Sequence, residues 1–290
     1  VLLAAIAWCG AALVPTVAAL GYYVAIGHGD AFMQANFLSI FDRHEPFGAS
    51  LWRLTKEMLA LTPFWLALFL APRRIAMRGP VEGGEVPAAL PFLRFWGVTA
   101  FAGFLLFGTW YDHYLAPVLV PLTILCAPVL GRMAPYRWYT RLMLGFGAAA
   151  ALVVTSVNMT EHGSRADMDV LLTQIEAARG TGCLYVAEGD PMLYHLSHSC
   201  LPSRYVFPNH LIAMVDAQSL GVDAPAEARH IMDSRPDVVV ISAQPQAQPV
   251  NWPVRNLITG RLAQDYVLYG KARVGTRDFL VYQIKALHRG

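Results

Sequence analysis

Uncharged apolar runs alternate with short polar connections through the first half of the chain. After residue 157 this gives way to shorter segments of mixed helix and strand periodicity. Residues 1–26 carry no Asp, Glu, Lys or Arg, and about 20 such residues suffice to cross a hydrocarbon core of about 30 Å. Four more apolar stretches follow, so the pattern predicts five transmembrane helices, at about 1–26, 51–71, 90–109, 115–131 and 142–157. In the second of these, the stems of Arg53 and Lys56 extend the apolar part outward, because long basic side chains snorkel to the interface. The first run begins at residue 1 with no basic segment ahead of it, which reads as a helix inside a longer protein and not as a secretory signal.

Beyond residue 157 the periodicity predicts helices over 169–179, 224–234 and 252–264. It predicts strands over 183–186, 237–242, 266–269 and 279–284. Helices alternating with apolar strands imply a small α/β layer domain, with parallel inner strands and an antiparallel pair formed by the last two. The predicted fold is therefore a polytopic α-helical membrane domain, 1–157, followed by an extracytoplasmic α/β domain, 158–290.

Composition agrees with this division. Of 290 residues, 56% are hydrophobic and 14% charged, against roughly 45–50% apolar and about 25% charged in soluble domains. That excludes an ordinary cytosolic enzyme and a disordered chain. Residues 1–157 hold 10 Lys+Arg and 7 Asp+Glu, and the remaining 12 and 13 give the second part a normal soluble density. A net charge of +2 without a basic run offers nothing to nucleic acid. Sidedness follows from the connections. Arg73, Arg74, Arg78, Arg94, Arg132, Arg137 and Arg141 lie on one side and only Arg43 on the other, which puts the Arg-rich loops in the cytoplasm and residues 158–290 outside.

Several outward positions carry candidate chemistry. The aromatic loop 27–47 suits either an interfacial amphipathic segment or a substrate contact. Arg53 and Lys56, one helical turn apart, suit either a lipid phosphate or headgroup anchoring. In the cluster Trp110–Tyr114, the aromatic residues belong to an interfacial belt. Asp112 and His113 need water, a partner or a function. Cys183 and Cys200 fall in the compartment where disulfides persist, whereas Cys9 and Cys126 fall inside apolar helices. No nucleotide-binding glycine pattern has the required strand–loop–helix context. His195, His198 and Cys200 lack a fourth ligand nearby, and Asp167 and Asp169 open a helix, where a carboxylate complements the dipole. No metal or cofactor is expected.

Two strings carry a family resemblance. Tyr111-Asp-His-Tyr-Leu-Ala-Pro-Val-Leu-Val-Pro-Leu resembles the pattern that opens a late helix in bacterial GT-C membrane glycosyltransferases. These are the enzymes related to protein O-mannosyltransferases and lipid A aminoarabinose transferase, of the glycosyltransferase family 39 type. Asp190-Pro-Met-Leu-Tyr-His-Leu, continued by Cys200-Leu-Pro-Ser-Arg-Tyr-Val-Phe-Pro-Asn-His-Leu, is similar to their C-terminal extracytoplasmic region. The resemblance implies a multi-pass protein of the bacterial inner membrane that moves a sugar from a polyprenyl-phosphate donor to an acceptor on the periplasmic side. It also implies an acidic general base in a loop upstream of residue 1, so no catalytic residue is assigned in this chain. The supporting site would comprise Arg53, Lys56, Asp112, His113 and Tyr114. Arg204, Tyr205 and His210 would either contact the acceptor or pack the outer domain. A membrane transporter and a membrane-anchored binding or scaffold protein are the competing classes.

Overall fold

Small and branched apolar residues with no charge among them make the first helix, α1 (Leu2–Ala25). Gly27, at φ +79°, breaks it. A bent segment follows: α2 (Gly29–Met33), a π-helical turn over Gln34–Leu38, and α3 (Ser39–Asp42). The computed structural model describes residues 2–43, 45–70, 89–132, 137–247 and 249–288. Arg73, Arg74 and Arg78 of the expected cytoplasmic set lie outside the described residues. The chain divides into two units, Val1–His44 with Val157–Gly290, and Glu45–Ser156.

The second unit holds α4 (Phe47–Ala60), α5 (Thr62–Leu70), α6 (Ala89–Leu106), a 3-10 turn (Asp112–Leu115), α7 (Ala116–Arg132) and most of α8 (Arg137–Glu161). Here the expectation of five transmembrane helices is corrected. Among the described residues, two helices are long and apolar enough to cross a membrane: α1, through Ile6–Ala25, and α8, from Thr140 onward. The stretch predicted at 51–71 is divided at Leu61 into helices of 14 and 9 residues, with Pro63 in the first turn of the second, where its ring is tolerated. Those predicted at 90–109 and 115–131 form helices of 18 and 17 residues, short of the roughly 20 that a span takes.

The physical reason lies in packing. Leu61, Ala67, Phe104, Leu115, Val118, Leu122 and Cys126 are buried against one another, so these helices use apolar surface on a core of their own. Hydropathy along a sequence does not separate that use from contact with lipid. By contrast α1 and α8 bury none of their apolar windows. Trp8, Val14, Leu144 and Leu152 are all more than half exposed, an apolar surface of the kind that marks membrane or protein contact.

The globular part of the first unit starts with α9 (Arg165–Ala178), opened by a capping box. The Ser164 hydroxyl accepts from Asp167 N–H at 3.2 Å, and Asp167 accepts from Ser164 N–H at 2.8 Å. Then come β1 (Leu184–Val186), α10 (Met192–Leu196), α11 (Asn209–Ile212), α12 (Met214–Ser219), α13 (Ala224–Asp233) and β2 (Val238–Ser242). The chain continues through α14 (Trp252–Asp265), β3 (Tyr266–Val274), β4 (Arg277–Ile284) and α15 (Lys285–His288). The strands form one sheet in the order β1-β2-β4-β3.

Period-2 alternation builds a core on each face of the sheet. Val238 and Val240 pack with Leu171, Ile175 and Leu193 on one side; Val239 and Ile241 pack with Ile231, Val254 and Ile258 on the other. The expectation of parallel inner strands is corrected: the inner strands β2 and β4 run antiparallel, and the parallel pair is β2 with the edge strand β1 (Tyr185↔Val239). Because β3 and β4 form a hairpin through Gly275 (φ +59°), β4 returns antiparallel to β2 (Val240↔Val281), and the sheet is mixed. The short helices α10, α11 and α12 were not foreseen; they are too short for a periodic signal.

Candidate functional site

The segment Gly29–Asp42 has two faces. Phe37, Leu38 and Phe41 are exposed, while Gln34 and Arg43 turn toward the globular part of the same unit. Gln34 Nε2 donates to the Ser219 carbonyl at 3.1 Å and to Asp42 Oδ2 at 3.2 Å. Arg43 Nη2 lies 2.8 Å from Asp216 Oδ1. The π-helical turn adds one residue per turn to the local winding, which lets both side chains reach the globule; such turns recur at functional sites. Gly221, at φ +63°, turns the chain after α12 beside Gln34.

Between this segment and the loop before α11 lies a cavity of about 580 Å³, within the range of small-molecule sites. Arg204, Tyr205 and His210, the outer-domain candidates from the sequence, all line it, together with Asp30, Arg43 and Asp216. The loop that presents them is held locally. The Ser203 hydroxyl donates to Glu227 Oε1 at 2.5 Å and accepts from Tyr205 N–H at 3.1 Å. The Arg204 guanidinium stands 5.1 Å from the centre of the Tyr205 ring, a cation–π distance.

His210 packs its ring against Phe207 at 5.2 Å, edge to face. Its Nδ1 is buried without a hydrogen-bond partner in the structure. Burial pushes the imidazole below its ordinary range; Asp216 pulls it up and Arg43 pushes it further down. The cavity therefore presents two guanidinium groups, an aromatic ring with an apolar face, a histidine with an unused nitrogen, and two carboxylates. Arg43 is answered by Asp216, which leaves Arg204 as the guanidinium able to meet a phosphate oxygen. The chain matches no family model, no curated protein and no solved structure.

The candidates Arg53, Lys56, Asp112, His113 and Tyr114 lie in the second unit. Arg53 makes an ion pair with Glu45, whose side chain is 4% exposed. It also donates to the Thr109 carbonyl at 2.7 Å and lies 4.2 Å over the Tyr111 ring. Tyr111 OH donates to the same Glu45 carboxylate. Arg53 thus neutralises an internal acid, and it is not paired with Lys56, which stands exposed on the helix. His113 stacks on Tyr111 at 5.7 Å and meets Tyr114 edge to face at 4.3 Å; Tyr114 stacks on Phe107 at 4.8 Å. Asp112 is exposed. Trp110 is held at φ +47°, a strained conformation for a bulky residue. Also in this unit, Trp65, Phe101 and Leu122 line an apolar cleft of about 520 Å³.

Cys183 and Cys200 form a disulfide with Cα atoms 5.0 Å apart, and this removes Cys200 from the sequence trio with His195 and His198. Among the described residues no three His, Cys, Asp or Glu side chains gather in a metal-binding arrangement. Sequence reasoning missed Gln34, Arg43 and Asp216. No local pattern singles them out, because each acquires its role from a partner 173 or more positions away. The isolated Arg43 among otherwise Arg-poor outward loops was the one available signal.

Proposed function

We propose that this chain is part of a membrane glycosyltransferase that takes a sugar from a polyprenyl-phosphate donor, with the cavity around Arg204 as the site for the donor's phosphate and sugar. The observation that carries the reading is the convergence of Arg43, Arg204, Tyr205 and His210 on one cavity of about 580 Å³. A guanidinium recognises phosphate through paired charge-assisted hydrogen bonds. Arg204 is exposed at the cavity and is in no ion pair among the described residues. Tyr205 offers a flat apolar face to a sugar ring, and His210 offers a nitrogen to a hydroxyl.

Placement supports the reading. The cavity wall begins at Asp30, five residues after the end of α1, a helix long and apolar enough to cross a membrane. The exposed Phe37, Leu38 and Phe41 on its outer face suit an interfacial segment. In this proposal the cavity opens on the periplasmic side of a bacterial inner membrane, and the acceptor is a lipid, glycan or protein that approaches from that side. The general base is not assigned to any residue here.

A second reading is favoured by the correction to the membrane-helix count. Two candidate spans are enough for an anchor, so a membrane-anchored binding protein for the same ligand class is the alternative. Both are tested with the full chain in lipid nanodiscs, titrated with a polyprenyl-phosphate hexose. Tenfold weaker binding by Arg204→Ala supports the cavity, and unchanged binding rejects it. Release of polyprenyl phosphate would support the enzyme over the anchored binder.

A further inference from the structure

A second cavity lies at one end of the sheet. Parallel strands leave a crevice beyond their carboxyl ends, where ligands gather in open α/β sheets. Here β1 and β2 are the parallel pair. A cleft of about 230 Å³ opens just beyond them, between the loops that follow each strand and the start of β4. Its floor is apolar, from Met168, Leu171 and Phe279; its polar groups are Glu161, His162, Asp190, Gln246 and Arg277.

Three observations narrow its ligand. First, Glu161, Asp190 and Arg277 take part in no ion pair among the described residues. The cleft therefore offers two carboxylates and one guanidinium that form no ion pair among the described residues. Second, Gln246 Nε2 is buried without a hydrogen-bond partner, a donor that an oxygen-bearing ligand would satisfy. Third, Glu161 is the last residue of α8. Val157 and Met159, just before it, are exposed apolar side chains. At the helical rise, Glu161 lies about 6 Å beyond Val157 along the axis, which is headgroup depth if the apolar part of α8 is in hydrocarbon.

The frame around these groups is tied together. Thr276 N–H donates to the Glu161 carbonyl at 3.4 Å, which brings the β3–β4 turn and Arg277 beside the end of α8. A side chain at Gly275 would collide with the backbone of Glu161 and Gly163. Asp190 Oδ1 accepts from Met192 N–H at 2.8 Å, which fixes the carboxylate at the cleft rim. We infer that this cleft binds a phosphoethanolamine group, its ammonium held by Glu161 and Asp190 and its phosphate by Arg277 and Gln246, supplied as the headgroup of an aminophospholipid in the membrane that α8 enters. This assignment does not depend on the sugar-transfer reading.

The test uses the full chain in detergent micelles, titrated separately with dihexanoyl phosphatidylethanolamine, phosphatidylcholine and phosphatidylglycerol of the same chain length. The expected result is at least tenfold tighter binding of the ethanolamine lipid. Arg277→Ala and Glu161→Gln, both at exposed positions, should each weaken it at least tenfold. The distant exposed Arg229→Ala should not, and the ligand-free thermal midpoints of all three variants should match the parent. Glycerophosphoethanolamine, the headgroup without chains, separates the sources. Weaker binding than the lipid supports a membrane source, and equal binding supports the same site filled from solution. Equal affinity for the three phospholipids, or full affinity in both cleft variants, overturns the inference.

Discussion

Arg43 Nη2 and Asp216 Oδ1 meet at 2.8 Å across 173 positions of sequence. With the Gln34–Ser219 hydrogen bond, this contact clasps the bent segment after α1 to the globular part of its unit and closes one wall of the larger cavity. The two side chains are 34% and 24% exposed, so solvent screening limits their pair to about 1 kcal/mol at most. Arg43→Ala should leave the global unfolding midpoint nearly unchanged. It should raise amide hydrogen exchange within 29–43 several-fold, because local opening no longer has to break the pair. Unchanged exchange in that segment would remove the clasp from the account.

His210 gives the globule a pH dependence of definite sign. Its folded-state value is held below the ordinary 6.5 by burial. The unfolded chain therefore takes up the proton first as pH falls. The contribution of His210 is complete above pH 6.5 and declines as pH falls from there toward the folded value. Urea unfolding at pH 7.5 and 5.5 should show a larger loss for the parent than for His210→Asn. An equal loss in both would place the dependence elsewhere.

Glu188 and Arg255 form a nearly buried pair, 3.2 Å apart, with side chains 2% and 13% exposed. Glu188 also accepts from Gln246 N–H at 3.2 Å. Removing one partner leaves the other charge buried, at about 3–5 kcal/mol, so Arg255→Ala should be among the most destabilising single changes. Burial raises Glu188 above its ordinary 4.5 despite Arg255. A raised carboxyl favours folding most at low pH and loses that contribution as pH climbs through the folded value. The stability of the parent relative to Glu188→Gln should accordingly decline from pH 4.5 upward, measured by denaturant titration across that window.

The Cys183–Cys200 disulfide closes a separation of 17 residues, for which the chain-entropy relation gives about 3 kcal/mol. It fastens the start of β1 to the loop that leads toward Arg204. The Cys183→Ser, Cys200→Ser double variant should unfold in the globular part with stability lowered by about that amount. A loss below about 1 kcal/mol would show that the reduced chain already holds this loop in place.

The sequence was most legible where burial is simplest. The runs around Val238–Ser242 and Phe279–Ile284 are buried on both faces or alternate cleanly, and both became strands. Arg204, Tyr205 and His210 were singled out by the string that contains them, and they share one cavity. The membrane half was misread because Phe104, Leu115 and Leu122 look the same in a hydropathy profile whether they touch lipid or one another. Arg53 was read with Lys56 as an outward cation for phosphate, yet it is answered by Glu45. Pairings at long sequence separation set the walls of both cavities, and no window of neighbouring residues contains them.

Membrane crossing by α1 has a direct check. Val14 is 62% exposed near the middle of the helix, and a Lys at the centre of a span adds roughly 2.5–3.5 kcal/mol to insertion. Val14→Lys should shift α1 from the alkali-resistant membrane fraction, in a truncation carrying this helix alone. Undiminished retention would mean that α1 is not held by hydrocarbon.

The wider turn at Gln34–Leu38 acts as a phase shifter. An α-helix advances about 100° per residue, so deleting one residue there would rotate Phe41 by roughly that angle relative to Gln34. The apolar flank would then swing toward the cavity while Arg43 swung away from it. A single inserted backbone unit thereby decides which flank of this short strip stays on the outer surface and which lines the cavity.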